Sequence, residues 1–310
     1  MGGVIVKDLR ELPRLSDSIT YLYLEKCRIE QDNFAIKAVY SEYEVPIPCA
    51  NLTVLFIGPG VSITHASIVS LSDSGCLVVW CGENLRKFYA YGLGETKSAK
   101  NILRQSMACM NEELHMGIVR KMYKLRFTDM PLENMTLEQM RGMEGVRMRT
   151  AYNTLSKQYG VAWNRRNLKG VDYNKMDMIN KAISYNNSLL YALCAGIITT
   201  LGYNTALGFI HVGNINSFVF DIADLYKVET TLPASFETVR DCKNNSNLNF
   251  ESELRKNCRK YFAKMDILKK VVKDLEYLFE DIEVSYGNNI DGALWNYGRD
   301  ILSNKNYGGV

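Results

Sequence analysis

The chain has 310 residues, of which 47% are hydrophobic and 23% are charged, and its formal net charge is +3. These values are typical of folded globular proteins and exclude both a disordered chain and a polycation. Because one hydrophobic core rarely grows beyond about 250–300 residues, we expect two domains. The longest apolar run, residues 189–201, is shorter than the ~18–20 residues that span a bilayer. We therefore predict a cytoplasmic protein without a membrane segment.

The first part of the chain has the pattern of short β-strands. Polar, Gly and Pro turns separate runs that are rich in β-branched and aromatic residues, which is typical of a β-sandwich. These runs are residues 19–24, 34–39, 52–57 and 77–80. We predict an all-β N-terminal domain, residues 1–92, and a linker in the glycine-containing stretch that ends at residue 98.

Residues 97–310 are predicted to form an all-α domain, because apolar residues recur there at helical spacing. One long helix is expected through residues 103–125, and a second from Thr136, capped with Gln139, to Gly160. Further helices are expected over residues 174–200 and 251–283. Residues 207–211 and 217–220 instead resemble two strands joined by a short turn. The predicted fold class is therefore α+β and multidomain: an N-terminal β-sandwich followed by an all-α catalytic domain with a short β-hairpin insertion.

Of the three histidines, only His211 has acidic residues close behind it in the sequence. His115 falls on the polar side of the long predicted helix and is assigned to the surface, and His65 lies near a loop. If Asp221 opens a helix, its spacing of three from Asp224 places both carboxylates on one face. An imidazole with carboxylates suits Mg²⁺ or Mn²⁺ and metal-assisted phosphoryl chemistry. The alternative is that Asp221 caps that helix and His211 is a hydrogen-bonded core residue, and the sequence leaves both interpretations open.

Glu144 is a second candidate, because glycines flank it inside a predicted helix. Glycine costs about 1 kcal/mol relative to alanine in a helix interior, so Gly142 and Gly145 suggest that a ligand or another helix approaches the backbone closely. The alternative is that Arg141 and Arg147, each three residues from Glu144, form ordinary helix ion pairs with it.

Basic residues concentrate in two stretches of the second domain. Between residues 255 and 270 there are seven basic residues against one acid, and Arg255 and Arg259 share a helix face that could follow DNA phosphates; a solvated basic helix is the alternative. A second stretch, residues 163–173, contains both basic and aromatic residues, which suits binding of phosphates and stacking on bases. The DNA-binding candidates are Arg255, Arg259, Trp163, Arg165, Arg166 and Tyr173, with Arg86 and Lys87 in the β domain.

Three segments, in this order and spacing, resemble one known family. They are residues 12–25, residues 139–163 with the text QMRGMEG and YGVAW, and residues 208–225 with GFIH and FDIADL. The chain is similar to the CRISPR-associated integrase Cas1, in the form that accompanies Cascade (type I-E). Lys26 is one departure from the family pattern, because it stands where an aromatic residue could stack on a duplex end.

The resemblance implies that Glu144, His211 and Asp224 bind Mg²⁺ or Mn²⁺, with Asp221 as a further acidic catalytic residue. It implies dimerisation through the β-sandwich, and a complex in which two Cas1 dimers flank one dimer of the small protein Cas2. The expected reaction joins the 3′-hydroxyl ends of a double-stranded protospacer into the CRISPR repeat by transesterification, which is spacer acquisition in antiviral defence. Endonuclease activity on DNA is expected as well.

Two competing functions remain from the sequence. One is a catalytically silent DNA-binding scaffold, against which the joint presence of Glu144, His211, Asp221 and Asp224 argues. The other is a metal phosphohydrolase acting on small nucleotides, which would need a closed pocket and no long basic face. Of the two aspartates, we expect Asp224 to be the direct ligand, because Asp221 is placed to bond free N–H groups or a metal ligand.

Overall fold

The described residues of the computed structural model are 21–33, 35–49, 52, 54–82, 88–92, 99–128, 130–132, 135–166 and 176–284. Their first part contains β1 (Tyr21–Leu24), β2 (Arg28–Asp32), β3 (Ala35–Val39), β4 (Glu44–Ile47), β5 (Val54–Ile57), β6 (Ser62–Ile63), α1 (His65–Asp73), β7 (Leu77–Cys81) and β8 (Phe88–Gly92). The predicted strands at residues 19–24, 34–39, 52–57 and 77–80 correspond to β1, β3, β5 and β7.

These strands form two four-stranded sheets with orders β1-β5-β7-β8 and β4-β3-β2-β6. Leu55 and Ile57 from the first sheet share one buried cluster with Ile29 and Ile36 from the second, which confirms the N-terminal pair of sheets. The prediction of an all-β domain was wrong, because β5 and β7 are parallel and parallel neighbours need a crossover. Helix α1 makes that crossover.

Strands β5 and β7 of the first sheet are largely buried on both faces, because the helical part of the chain covers the face that points away from the sandwich core. Side chains alternate along a strand, so Val54 and Phe56 of β5 point away from the sandwich core and join the buried cluster of the helices. The two parts of the chain therefore share a continuous apolar interface. The boundary predicted at residues 92–97 falls between β8 and the first helix of the second part, and residues 93–98 lie outside the described residues.

The second part is helical. Its helices are α2 (Lys100–Met110), α3 (Glu112–Arg126), α4 (Leu137–Tyr159), α5 (Met178–Thr200), α6 (Ser217–Ala223), α7 (Thr231–Asn244), α8 (Phe250–Met265) and α9 (Ile267–Phe279). The predicted helix from Thr136 to Gly160 is confirmed as α4: Thr136 and Gln139 form a capping box, and Gly160 ends the helix in the left-handed conformation. None of the described helices is long and apolar enough to cross a membrane.

Two of the long predicted helices are each divided in the structure. The helix predicted over residues 103–125 breaks at Asn111, which is extended and caps α3 by accepting a hydrogen bond from the Leu114 N–H. The helix predicted over residues 251–283 breaks at Asp266, whose φ of +48° is left-handed. Apolar periodicity continues across both breaks, so the pattern alone did not show them.

The predicted β-hairpin insertion was wrong. Residues 207–211 form a loop without strand pairing, and residues 217–220 begin helix α6. A short apolar run such as Phe218 to Phe220 does not distinguish a strand from a buried helical segment. The loop forms no ladder because its backbone N–H groups bond to the side chain of Asp221 instead.

Gly196 of α5 lies where the helices meet the first sheet. A Cβ atom there would be 2.8 Å from Val54 Cγ2 and 3.0 Å from Leu77 Cδ2, both on stiff or packed strand residues. We expect Gly196→Ala to lower the melting temperature, because overpacking costs about 1–3 kcal/mol and outweighs the ~1 kcal/mol gained in helix propensity. Gly117→Ala is the matched control, because a Cβ there meets nothing within 4 Å. Equal melting temperatures for the two variants would contradict this account of the interface.

Candidate functional site

The carboxylate of Asp221 is the buried centre of the site. It lies on α6 and is 0% exposed. It accepts hydrogen bonds from the backbone N–H groups of Phe209, Ile210 and His211, at 2.6, 3.1 and 2.8 Å. Because α6 begins at Ser217, the hypothesis that Asp221 opens or caps its own helix was wrong. The carboxylate instead holds the preceding loop.

His211 is oriented by the same carboxylate. Its Nδ1 is 2.7 Å from Asp221 Oδ1, and a carboxylate oxygen only accepts, so Nδ1–H is the donor. Nε2 then keeps its lone pair, and it stands 4.0 Å from Asp224 Oδ2. The hydrogen bond to Asp221 raises the pKa of His211, against the opposing effect of burial. The imidazole thus presents one free nitrogen next to a second carboxylate.

Asp224 is fixed from its other side by Lys227. The Lys227 ammonium contacts Asp224 Oδ1 and donates to the Tyr191 hydroxyl at 2.6 Å. Burial lowers the pKa of Lys227, but Asp224 and Tyr191 outweigh that effect and raise it overall. The carboxylate of Asp224 therefore has a buried cation on one oxygen and the His211 ring facing the other.

Glu144 lies on α4 with one carboxylate oxygen paired and the other not. Oε1 is 3.4 Å from Arg147 NH1, so the predicted helix ion pair exists on this side. Oε2 is buried and has no hydrogen-bond partner among the described residues. A Cβ at Gly142 would meet nothing within 4 Å, so no neighbouring helix in the described structure fills the space that the glycine leaves.

Tyr123 connects Glu144 with the His211 side of the site. Burial is the main cause of its raised pKa, and both Glu144 and Asp221 act on it electrostatically in the same direction. Arg126 stacks over the Tyr123 ring at 5.3 Å and its guanidinium donates to the Asp221 carbonyl at 3.4 Å. Arg126 and Arg141 act on the Tyr123 pKa in the opposite direction, so both carboxylates and two arginines lie within electrostatic range of this tyrosine.

The described residues include no group of three His, Cys, Asp or Glu side chains gathered closely enough to hold a metal ion. The structure brings His211, Asp221 and Asp224 together, while Glu144 pairs with Arg147. The donor chemistry nevertheless fits a divalent cation, because the Nε2 lone pair and the unpartnered Glu144 Oε2 are groups that a metal would satisfy. Binding would compete with the cations of Lys227 and Arg147.

His115 is not the surface residue that the sequence suggested. It is half-buried, and its Nε2 lies 2.8 Å from the Phe209 carbonyl oxygen, two residues before His211. No local pattern could have indicated this contact, because 94 residues separate the partners. The same is true of Lys227 and Tyr191, whose hydrogen bond spans 36 residues.

Arg255 and Arg259 line one cleft between α8 and the β domain. Lys26 and Tyr23 line it from the other side, and its volume is about 480 Å³. Arg255 also hydrogen-bonds to the Tyr185 hydroxyl. Four nearby lysines pair with acids: Lys256 with Glu253, Lys260 with Glu237, Lys269 with Asp266, and Lys270 with Asp274. Arg255 and Arg259 both line the cleft and therefore share a face, as the spacing predicted, and the acid Glu25 lines it as well.

The second basic stretch has partners within the fold. Trp163 stacks on Tyr152 with ring centroids 4.2 Å apart, and Arg166 donates to the Asn180 carbonyl at 3.2 Å. Trp163 and Arg166 are partly buried and Arg165 is exposed, and DNA contact by these three residues stays a prediction. The candidates Arg86, Lys87 and Tyr173 lie outside the described residues.

Comparison with known proteins gives consistent results. A family profile described as "CRISPR associated protein Cas1" matches residues 125–276. The "CRISPR-associated endonuclease Cas1 2" of Thermus thermophilus is 38% identical over 98% of this chain and 94% of its own length. The "Crystal structure of TtCas1-DNA complex" is 40% identical, with a TM-score of 0.68 over 87% of this chain and all of that one.

The fold of this chain is also found in a solved structure of much lower sequence identity. The "Cas6-RT-Cas1--Cas2 complex" matches 85% of this chain and 35% of that chain, at 13% identity and a TM-score of 0.60, which shows the fold alone. The Thermus relative, by contrast, is similar over nearly the whole of both chains. The protein therefore belongs to the Cas1 family of CRISPR-associated proteins, as the three sequence segments indicated.

The raised pKa of His211 predicts how the metal-free protein responds to pH. A raised pKa means that the His211–Asp221 pair contributes its stability fully below about pH 6.5, the unfolded value, and loses it as pH rises through the folded value. His211→Gln keeps a neutral donor but removes this charge. With a chelator present, we expect the melting-temperature difference between wild type and variant to be largest near pH 5.5 and to shrink above neutrality.

His65→Gln is the control for this experiment, because His65 is exposed at the start of α1. Its melting curves give the background against which the pH dependence of His211→Gln is judged. If the difference in melting temperature between wild type and His211→Gln stays constant across the pH range, the pKa of His211 does not change on folding.

Proposed function

We propose that the protein is a metal-dependent DNA endonuclease and integrase of CRISPR adaptation. The observation that carries the proposal is the His211 ring, whose Nδ1–H is held by the buried Asp221 at 2.7 Å while Nε2 faces Asp224. Membership of a family whose curated relatives are named endonucleases supports it, as does the 40% identical structure described as a DNA complex.

In this proposal Glu144, His211 and Asp224 would hold Mg²⁺ or Mn²⁺. The bound ion would polarise the phosphodiester and stabilise the negative charge that develops on its oxygens during transesterification or hydrolysis. Asp221 keeps the imidazole in one tautomer and one orientation. Lys227 and Arg147 form ion pairs with the two other carboxylates, Asp224 and Glu144.

Substrate binding is assigned to a different surface. Arg255, Arg259 and Lys26 present cations around one cleft, and phosphate contacts of this kind position a duplex without reading its sequence. We propose that double-stranded protospacer DNA binds there and that its 3′-hydroxyl ends are joined into the CRISPR repeat. Lys26 would contribute a positive charge at the position where an aromatic residue could stack on the end of the duplex.

The proposed assembly is a homodimer, with two dimers flanking a Cas2 dimer in the cytoplasm. The fold shared with the Cas1 part of a Cas1–Cas2 complex supports this partner. The Cascade-associated (type I-E) form stays a prediction from the sequence segments, since the similar relatives come from varied organisms. Mixing the protein with Cas2, a protospacer duplex, Mn²⁺ and a CRISPR plasmid tests the whole proposal. Joined products are expected, and their absence with an active Cas2 preparation would contradict it.

The alternative of a silent scaffold makes a different prediction in that assay, namely binding without joined products. A phosphohydrolase of small nucleotides would hydrolyse nucleotides without needing the basic cleft. The cations Arg255, Arg259 and Lys26 around the cleft favour an anionic ligand over a purely structural role, and the assay distinguishes DNA from a small nucleotide as that ligand.

Glu144→Ala should separate chemistry from binding. We expect it to abolish integration while the dissociation constant for duplex DNA stays within about twofold, because metal-mediated charge stabilisation acts in the transition state and phosphate contacts act in the ground state. Activity is read from joined products and affinity from fluorescence anisotropy. A parallel loss of folding or of DNA affinity would assign Glu144 to its ion pair with Arg147 instead.

Removal of the cleft arginines should weaken DNA binding at every sequence. For Arg255→Gln with Arg259→Gln, we expect the slope of log K against log salt to fall by up to about 2, since each phosphate contact contributes ~0.9. The matched control is Lys256→Gln with Lys260→Gln, which removes the same charge from neighbouring positions of α8 that are not among the residues lining the cleft. Similar slopes for both double variants would show that the arginines are not the phosphate contacts.

Asp224→Asn and Asp221→Asn should fail in different ways. We expect Asp224→Asn to lose more Mn²⁺ affinity by calorimetric titration, because a divalent ion requires the carboxylate charge. Asp221→Asn should lose more thermal stability, because its amide NH₂ would face N–H donors that a carboxylate oxygen now satisfies. A larger Mn²⁺ loss at Asp221 than at Asp224, measured at temperatures where both variants are folded, would exchange the two roles.

A further inference from the structure

The loop of residues 203–216 contains no helix or strand, and its polar backbone groups are satisfied by side chains from distant helices. Gln105 of α2 is 0% exposed. Its Nε2 donates to the carbonyl oxygens of Asn204 and Leu207 at 2.9 and 2.8 Å, and its Oε1 accepts from the Asn204 N–H at 2.7 Å. One amide thus fixes the first half of the loop, where unpaired backbone groups would be costly.

The second half of the loop is held by His115 of α3. A carbonyl oxygen only accepts, so the 2.8 Å contact with Phe209 O is a hydrogen bond donated by His115 Nε2–H. The His115 ring also packs against the Phe209 ring, with centroids 5.1 Å apart. The Phe209 N–H donates in the opposite direction to Asp221 Oδ2 at 2.6 Å. Both backbone groups of Phe209 are therefore bound by side chains from two different helices.

Gly208 shows how closely this part of the loop is packed. A Cβ there would lie 2.3 Å from the His211 carbonyl oxygen and 2.7 Å from Ser217 Cβ. The turn from Gly208 to His211 thus has little freedom to move independently of its anchors. A shift of Phe209 would be passed on to His211, two residues later, and would change the distance from Nε2 to Asp224.

We propose that His115 is a positioning residue for His211: it fixes the backbone of the loop so that the His211 ring stands opposite Asp224. The inference rests on the proposed function, because it concerns the same site. It adds a residue that is not one of the proposed metal ligands, and that lies on helix α3, which contributes none of them. Misplacement of a catalytic group by about 1 Å can cost about 100-fold in rate, so a single distant hydrogen bond is sufficient for a large effect.

Two substitutions separate positioning from simple stabilisation. His115→Leu keeps an apolar side chain against Phe209 and removes the donor, and His115→Gln restores an N–H that can reach the carbonyl. His65→Gln, in α1, is the control. The first readout is the ¹H–¹⁵N spectrum of the imidazole rings in the metal-free protein at one fixed pH. The protein has three histidines, so each ring is assigned by its own substitution. The second readout is steady-state kinetics of Mn²⁺-dependent DNA cleavage.

For His115→Leu we expect shifted or broadened His211 ring signals and a kcat at least about tenfold lower, with KM and DNA affinity within about twofold. His115→Gln should recover the wild-type His211 signals and most of kcat. Unchanged His211 signals, with kcat falling only in proportion to the folded fraction in thermal melts, would overturn the proposal. If the wild-type protein does not cleave DNA, the proposed function fails, and the ring signals alone then decide whether His115 positions His211.

Discussion

A buried carboxylate needs donors, and this requirement organises the site. Leaving Asp221 unpaired in the interior would cost several kcal/mol, and nearby N–H groups of α6, such as those of Phe220 and Asp224, already bond to backbone carbonyls. The N–H groups of Phe209, Ile210 and His211 are the donors instead, which folds the loop back over the helix. The His211 ring supplies the fourth bond, and its second nitrogen is left facing Asp224. Ring orientation thus follows from the satisfaction of one charge.

The framework around this loop is provided by helix packing. Helix α5 is buried along most of its length and packs against α6, α7, α8 and α9. Gly196 lets it approach the first sheet, and Tyr191 on the same helix reaches both Lys227 and the ring of Phe220, 5.1 Å away. The β domain therefore supports the site indirectly, by fixing the helix on which the loop and its charges rest.

Charge is distributed differently at the two surfaces. At the acidic site, Lys227 pairs with Asp224 and Arg147 with Glu144, so two of the three carboxylates have a cation beside them, and Asp221 is held by hydrogen bonds. At the cleft, Arg255 and Arg259 stand beside Lys26, and Lys256 and Lys260 of the same helix pair with Glu253 and Glu237. Binding of an anionic polymer and stabilisation of a reacting phosphate are thus assigned to separate groups of residues.

The sequence by itself determined the elements whose signals are local. The capping box of Thr136 and Gln139, the glycine stop at Gly160 and the alternating strand runs all act within a few residues, and three spaced segments were sufficient to indicate the Cas1 family. Only the tertiary structure decided the rest. Apolar periodicity runs through Asn111 without showing the break, and the apolar run before Asp221 fits strand and helix equally. Asp221 of α6 bonds to His211, His115 of α3 bonds to Phe209, and Gln105 reaches the same loop across about a hundred residues. A hydrogen bond between distant segments depends on how the helices pack, and the spacing of residues along the chain does not predict it.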